Sequence, residues 1–335
     1  MNVNDLKLNR RALLAGASLL ATASVGTAAV ASEDVTVDFS GKSVLITGTS
    51  SGFGRLSAIH LARLGATVIA SMRKLDRGKR PEAVELKTLA KEENLDLHVI
   101  EIDVISDKQV KRGVAKAEKI AGGALDVLIN NAGIGLAGPI EINDTEATQL
   151  IFETNLFGYQ RMARAVLPKM RDAKSGQIFN VSSQLGRLLL PNIGMYCATK
   201  FAVEAMFETM AYELAPFGVD ITIIQPGGYP TKIWDKGRVY YNDLIARLDD
   251  DRKEDYSAHL QMAEGFFNGG GTTDPMDIPR AIAEIMAMPT GQRPLRKPVH
   301  PNTMASDTAN AAMAKIQSAV LSQGPYAKWH KRVAG

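Results

Sequence analysis

The run Ser43-Val44-Leu45-Ile46-Thr47-Gly48-Thr49-Ser50-Ser51-Gly52-Phe53-Gly54 leads into an amphipathic segment that ends at Leu64. Its first five residues form an apolar run of strand length, and Phe53–Leu64 has helical periodicity. Glycines between a strand and a helix let the backbone turn tightly and approach a pyrophosphate, whose charge then faces the helix N-terminus. The spacing is Gly-x-x-x-Gly-x-Gly, not the Gly-x-Gly-x-x-Gly of the better-known dinucleotide fingerprint. A turn without a ligand is the bland alternative. Position and spacing together favour a phosphate loop.

The same rhythm continues along the chain. Strand-like runs at Ala66–Ala70, Leu97–Ile102, Leu125–Asn130, Gln177–Val181 and Asp220–Gln225 alternate with helical segments. The helices are expected at Glu82–Glu93, Asp107–Ile120, Asp144–Met170 (one long helix, with Pro168 near its end) and Met195–Leu214. Such alternation predicts an α/β fold: a single Rossmann-type, doubly wound parallel sheet with helices on both faces. Its ligands would lie at the carboxyl ends of the strands. After Gln225 the rhythm fails. Residues 228–275, rich in aromatics and ending in Gly269-Gly270-Gly271, read as an insertion covering a pocket. A helix at Asp277–Met288, a basic Pro-rich stretch from Arg293 to Pro298 and a helix at Thr303–Leu321 complete a C-terminal extension.

Composition narrows the function classes. Of 335 residues, 45% are hydrophobic and 22% charged, enough for one large core. The net charge of +3 owes +2 to Lys7, Arg10 and Arg11 against Asp5, so no basic surface argues for nucleic acid. Cys197 is the single cysteine, which excludes an internal disulfide, and the five histidines show no ligand spacing. Arg10-Arg11 precede an Ala-rich apolar run, Ala12–Val30, that ends in Ala29-Val30-Ala31. Residues 1–31 therefore read as a twin-arginine-like export signal, which predicts a periplasmic protein of residues 32–335 without a stable membrane span. A cytoplasmic protein with a helical N-terminal extension is the alternative.

Tyr196 and Lys200 carry the candidate chemistry. Four residues apart on a helix, they share a face. An ammonium beside a phenol favours the phenolate, so a lowered tyrosine pKa is expected, fitting Tyr196 to move a proton at an alcohol or carbonyl oxygen. Ser182-Ser183 end the strand just upstream. Cys197 lacks an evident histidine partner and reads as a small packed hydrophobe.

Together these motifs resemble the short-chain dehydrogenase/reductase family. Thr47-Gly48-x-x-x-Gly52-x-Gly54 resembles its cofactor loop, and Asn130-Asn131-Ala132-Gly133 its segment after the fourth strand. Ser183, thirteen residues before Tyr196, matches its serine, Tyr196-x-x-x-Lys200 its catalytic pair, and Asn155 its helix asparagine. Pro226-Gly227 with Thr231 is similar to its segment beside the nicotinamide. The likeness spans about Gly41 to Thr231. Thr49–Arg55, Ala70–Arg73 and Arg293–Arg296 are similar to the retinol- and hydroxysteroid-dehydrogenase-like branch, implying a bulky hydrophobic substrate.

The resemblance implies catalytic Asn155, Ser183, Tyr196 and Lys200, with Asn155 fixing a water beside Lys200. It implies cofactor contacts from Gly48, Ser50, Ser51, Gly52, Phe53, Gly54, Asp103, Asn130, Ala132, Gly133, Tyr196, Lys200, Pro226, Gly227 and Thr231. Capping of the next helix is the other role open to Asp103. The second strand ends Ala70-Ser71-Met72-Arg73-Lys74, with no carboxylate before Asp76. An acidic residue there would bind the ribose of NAD and repel a 2′-phosphate, whereas Arg73 can meet that phosphate, so NADP(H) is favoured over NAD(H). Asp76 reaching back to a ribose is the competing possibility. A small alcohol or carbonyl substrate and a homodimer or homotetramer through the long helices are further implications. A non-catalytic NADP-binding sensor and an epimerase-like enzyme with internal redox are the rival uses of such a site.

Overall fold

A computed structural model describes residues 37–268 and 271–334. The signal-like stretch 1–31 lies outside the described residues. Seven parallel strands form one sheet in the order β3-β2-β1-β4-β5-β6-β7. They are β1 (Ser43–Thr47), β2 (Thr67–Met72), β3 (Leu97–Glu101), β4 (Val127–Asn130), β5 (Gly176–Val181), β6 (Val219–Pro226) and β7 (Arg296–Val299). All five residues of β1 are buried, as a parallel strand covered on both faces requires. Alternate side chains serve opposite faces: Val44 and Ile46 belong to one core, Leu45 to the other.

Helices α1 (Gly52–Arg63), α2 (Pro81–Glu92) and, later, α10 (Asp277–Ala287) contribute to the first core. The second is built with α3 (Asp107–Ala121), α5 (Gly158–Asp172) and α6 (Gly194–Leu214). The long helix expected over Asp144–Met170 is interrupted. Helix α4 (Thr145–Phe152) passes into a π-turn, Glu153–Phe157, before α5 begins. Gly158 at the exit lies so close to the loop after β3 that a Cβ there would meet Val104 Cγ2 at 2.8 Å.

Residues 228–275 are mostly helical, as α7 (Ile233–Arg247), α8 (Asp250–Asp255), α9 (Ser257–Glu264) and a short 3-10 turn, Gly265–Asn268. Tyr241, Ala263 and Phe267 form a small apolar cluster there, while Leu244 and Leu248 pack with Ile134, Ile142 and Ile151 near the end of β4. The basic Pro-rich stretch runs into β7, an element that its composition hides. Pro298 has no N–H to give, but β7 is an edge strand and pairs on one side alone. Arg296 is consumed structurally, its Nε donating to Glu204 at 2.8 Å and its Nη2 to Glu208 at 2.5 Å, both on α6. The chain continues as α11 (Met304–Leu321) and α12 (Ala327–Ala334). Among the described residues no helix is long and apolar enough to cross a membrane.

Candidate active site

A cavity of about 650 Å³ lies beyond the carboxyl ends of the strands, a size typical of small-molecule sites. The loop between β1 and α1 forms one end, with Gly48, Ser50, Ser51, Gly52 and Phe53 lining it. Gly48 (φ +74°) and Gly52 (φ +56°) adopt left-handed conformations that favour glycine. Ser51 caps α1 in position only: its side chain makes no capping hydrogen bond, and the first turn has no acidic residue. That leaves a helix N-terminus facing the cavity whose electrostatics suit an anion.

Most of the residues expected at the cofactor line this cavity, including Arg73, Asp103, Ala132, Gly133, Pro226, Gly227 and Thr231. Asp103 does not cap α3. Ser106 does, accepting from Gln109 N, while Asp103 Oδ1 accepts from Ile105 N in the same loop. Two of the expected residues, Asn130 and Gly54, do not line the cavity. Asn130 is wholly buried and turned into the core, its Nδ2 donating to Asn180 Oδ1 at 3.0 Å; the neighbouring Asn131 reaches the cavity. Gly54 is also off the cavity lining. It is the point where α1 meets the next loop, and a Cβ there would lie 2.3 Å from Asn131 Nδ2 and 2.7 Å from the Gly48 carbonyl oxygen. Asn131 Nδ2 donates to the carbonyls of Thr47 and Gly48, so Gly54 shapes the phosphate loop indirectly. Asp76 is exposed in a turn at φ +47° and does not line the cavity.

At the other end β5 delivers Ser183 and α6 delivers Tyr196 and Lys200. Ser183 and Tyr196 both line the cavity, and the Ser183 hydroxyl accepts from Leu185 N at 3.1 Å. Lys200 Nζ donates to the Val181 carbonyl at 2.8 Å and lies 5.6 Å from the centre of the Tyr196 ring, over its face. Tyr159 flanks it from the other side, 5.5 Å from Nζ, and its hydroxyl also donates to the Val181 carbonyl. The expected lowering of the tyrosine pKa is therefore overturned. Burial dominates and pushes Tyr196 up to about 12, against the opposing pull of the Ser183 hydrogen bond. Burial likewise pushes the Lys200 ammonium down to about 7, with Glu204 one turn on pulling the other way. Cys197 is fully buried, and burial raises its thiol, which suits packing over reactivity.

Asn155 sits on the π-turn and does not line the cavity. It is wholly buried, its Oδ1 accepting from Ile134 N at 2.9 Å and its Nδ2 donating to Ile134 O at 3.0 Å and Thr199 Oγ1 at 3.3 Å. It thus ties the loop after β4 to α6, holding Ile134 and the Tyr196–Lys200 turn in place. The aromatic-rich insertion brings Trp234 and Tyr240 of α7 to the cavity, while the charged lining residues Arg80 and Lys236 escaped sequence reasoning.

The described geometry is that of the family named above, and residues 42–239 match the short chain dehydrogenase model. The chain is a short-chain dehydrogenase/reductase. It is therefore an NAD(P)-dependent oxidoreductase acting on CH–OH groups. Among short-chain dehydrogenases it is 34% identical to 3-ketodihydrosphingosine reductase of Bacteroides thetaiotaomicron over 73% of this chain and 83% of that protein. It is also 34% identical to retinol dehydrogenase 8 of Bos taurus, over 76% of this chain and 80% of that one. A solved short-chain dehydrogenase/reductase from Burkholderia phymatum in complex with NAD matches with a TM-score of 0.68 and 26% identity, covering 86% of this chain and 97% of that chain.

Proposed function

We propose that this short-chain dehydrogenase is an NADP(H)-dependent enzyme that interconverts a bulky hydrophobic ketone or aldehyde and its alcohol. The observation that carries this reading is the convergence of Ser183, Tyr196 and Lys200 on one end of the cavity, with the phenol held protonated by burial. A neutral phenol is a proton donor, which is what reduction of a carbonyl requires. When bound, the nicotinamide supplies the hydride. Ser183 hydrogen-bonds the substrate oxygen and Tyr196 donates the proton to it. Lys200 holds the nicotinamide ribose, and Asn155 acts through Ile134 and Thr199 as a positioning residue. The phosphate loop, Asp103, Ala132, Gly133 and the Pro226–Thr231 segment hold the rest of the cofactor.

Arg73 at the end of β2, with no carboxylate following in the sequence before Asp76, supports NADP(H) over NAD(H). The walls beyond Tyr196 support the substrate class: Leu185, Leu188, Leu190, Ile193, Val239 and Phe266 are apolar, the last two supplied by the insertion. The charged lining residues Arg73, Arg80, Asp103 and Lys236 lie towards the cofactor loop instead. The names of the two relatives, a ketosphingoid reductase and a retinol dehydrogenase, are consistent with a lipid-like substrate.

A panel of hydrophobic ketones and aldehydes with NADPH tests the reading, run with wild type and Tyr196→Phe. Loss of the general acid is expected to lower kcat by about 10²–10⁴, while NADPH affinity changes by less than about threefold. A variant keeping most of its turnover would remove Tyr196 from the mechanism. The reading includes export through the Arg10-Arg11 signal, which detection of an intact Met1 on cytoplasmic protein would overturn. It also includes a homodimer or homotetramer, supported by Phe157 and Phe201, large apolar side chains exposed on the π-turn and α6. A monomer by light scattering would refute it.

A further inference from the structure

Three cations from two different layers of the molecule line the cavity near one another, and Lys236 touches the phosphate loop itself. Arg73 comes from the end of β2, Arg80 from the turn before α2, and Lys236 from α7 in the insertion. Glu82 answers Arg80, which grips it through Nε at 3.0 Å and Nη2 at 3.3 Å. Arg73 and Lys236 have hydroxyl partners instead. Arg73 Nη2 donates to Tyr240 Oη at 2.7 Å, and Lys236 Nζ donates to Ser51 Oγ at 2.8 Å and approaches Ser50 Oγ at 3.4 Å. Lys236 and Tyr240 are one turn apart, so a single face of α7 engages both the loop and the β2 arginine.

This arrangement is unfavourable as it stands. Lys236 is half-buried at the positive end of the α1 dipole, a position that favours anions and repels cations. Burial lowers its pKa, and the positive charges of Arg80, Arg73 and Lys232 push the same way against the pull of Glu82. A dianion placed among these groups relieves all of these repulsions together.

We propose that Lys236, with Arg73 and the Ser50 and Ser51 hydroxyls, forms a subsite for a phosphomonoester, the 2′-phosphate of NADP(H), and that this phosphate fastens α7 over the cavity. The proposal rests on the NADP(H) preference inferred above and adds the lid helix to its recognition. Because α7 also carries Trp234, Val239 and Tyr240 into the cavity, cofactor selection and assembly of the substrate walls become one event. NADP(H) then binds before substrate, and NAD(H) leaves the lid unfastened.

Calorimetric titration of the purified protein with NADP⁺, NAD⁺ and 2′,5′-ADP, paired with hydrogen exchange across Ile233–Arg247, tests this. Lys236→Met keeps the aliphatic stem and removes the charge. It should weaken NADP⁺ and 2′,5′-ADP by about tenfold to a hundredfold, with NAD⁺ changed by less than about threefold. In wild type, NADP⁺ and 2′,5′-ADP should slow exchange in α7 and NAD⁺ should not; in Lys236→Met that slowing should disappear. Equal weakening of NAD⁺ and NADP⁺ would move Lys236 to the pyrophosphate and overturn the subsite. If Arg73→Glu weakens NADP⁺ and Lys236→Met does not, the NADP(H) preference stands and the lid subsite falls. Indifference of Arg73→Glu and of wild type to the 2′-phosphate would refute the preference itself.

Discussion

Lys200→Met removes an ammonium that the fold buries between the rings of Tyr159 and Tyr196, and it replaces the stem with one of similar length. Depressing the amine from 10.5 to about 7 corresponds to on the order of 5 kcal/mol against folding when the charge must be carried. The net figure is reduced because the variant loses the hydrogen bond to the Val181 carbonyl, worth about 1 kcal/mol. That carbonyl keeps the Tyr159 hydroxyl at 3.1 Å, so no orphaned acceptor is created. A net stabilisation of about 2–4 kcal/mol is expected at pH 6, or roughly 5–15 °C in Tm. Between pH 7 and 10.5 the unfolded lysine binds more protons than the folded one, so wild-type stability rises with pH across that window. The advantage of the variant should therefore be full below pH 7 and shrink towards pH 10. Lys236 titrates equally in both proteins and cancels in the difference. Thermal unfolding by calorimetry from pH 6 to 10, together with loss of turnover, checks it. A variant less stable than wild type at pH 6, or a difference that ignores pH, would refute the burial argument.

Gly54→Ala forces a Cβ to within 2.7 Å of the Gly48 carbonyl, backbone that cannot swing aside. A cost of about 1–3 kcal/mol in stability is expected, with NADP⁺ affinity down at least about tenfold by calorimetry; unchanged affinity would free the loop from Gly54. Leu190→Asp puts a carboxylate on the apolar wall at a side chain 46% exposed, where folding should tolerate it. KM for hydrophobic ketones should rise about tenfold with kcat within about threefold, and an unchanged KM would place the substrate elsewhere.

Much of this architecture is legible in the sequence because parallel strands buried on both faces are short apolar runs, as β1 and β5 are. What was hidden has physical causes. The stretch Arg293–Pro298, with two prolines and three cations, gives no apolar signature for β7, because the strand pairs on one edge and sends Arg296 to Glu204 and Glu208. The π-turn leaves no mark on a helical pattern that is continuous in composition. At Asn130-Asn131 adjacent identical residues point oppositely, so type alone cannot say which reaches the cavity. The tyrosine–lysine spacing correctly brought both side chains into one site, but periodicity does not report how deeply they are buried, and burial decides the sign of the Tyr196 shift. Lys236 lies 185 residues from Ser51 along the chain, a distance that no local pattern spans.

The most direct test of the central claim follows the hydride. Purified protein is given NADPH carrying deuterium at the transferable C4 position, together with a ketone selected from the hydrophobic panel, and the alcohol is analysed by mass spectrometry and NMR. One deuterium per turnover should appear at the carbinol carbon as a single stereoisomer, with one NADPH oxidised for each alcohol formed. NADPH left unconsumed across the panel would indicate a sensor, and an altered carbinol centre without net NADPH oxidation would indicate internal redox; either outcome would contradict the assignment.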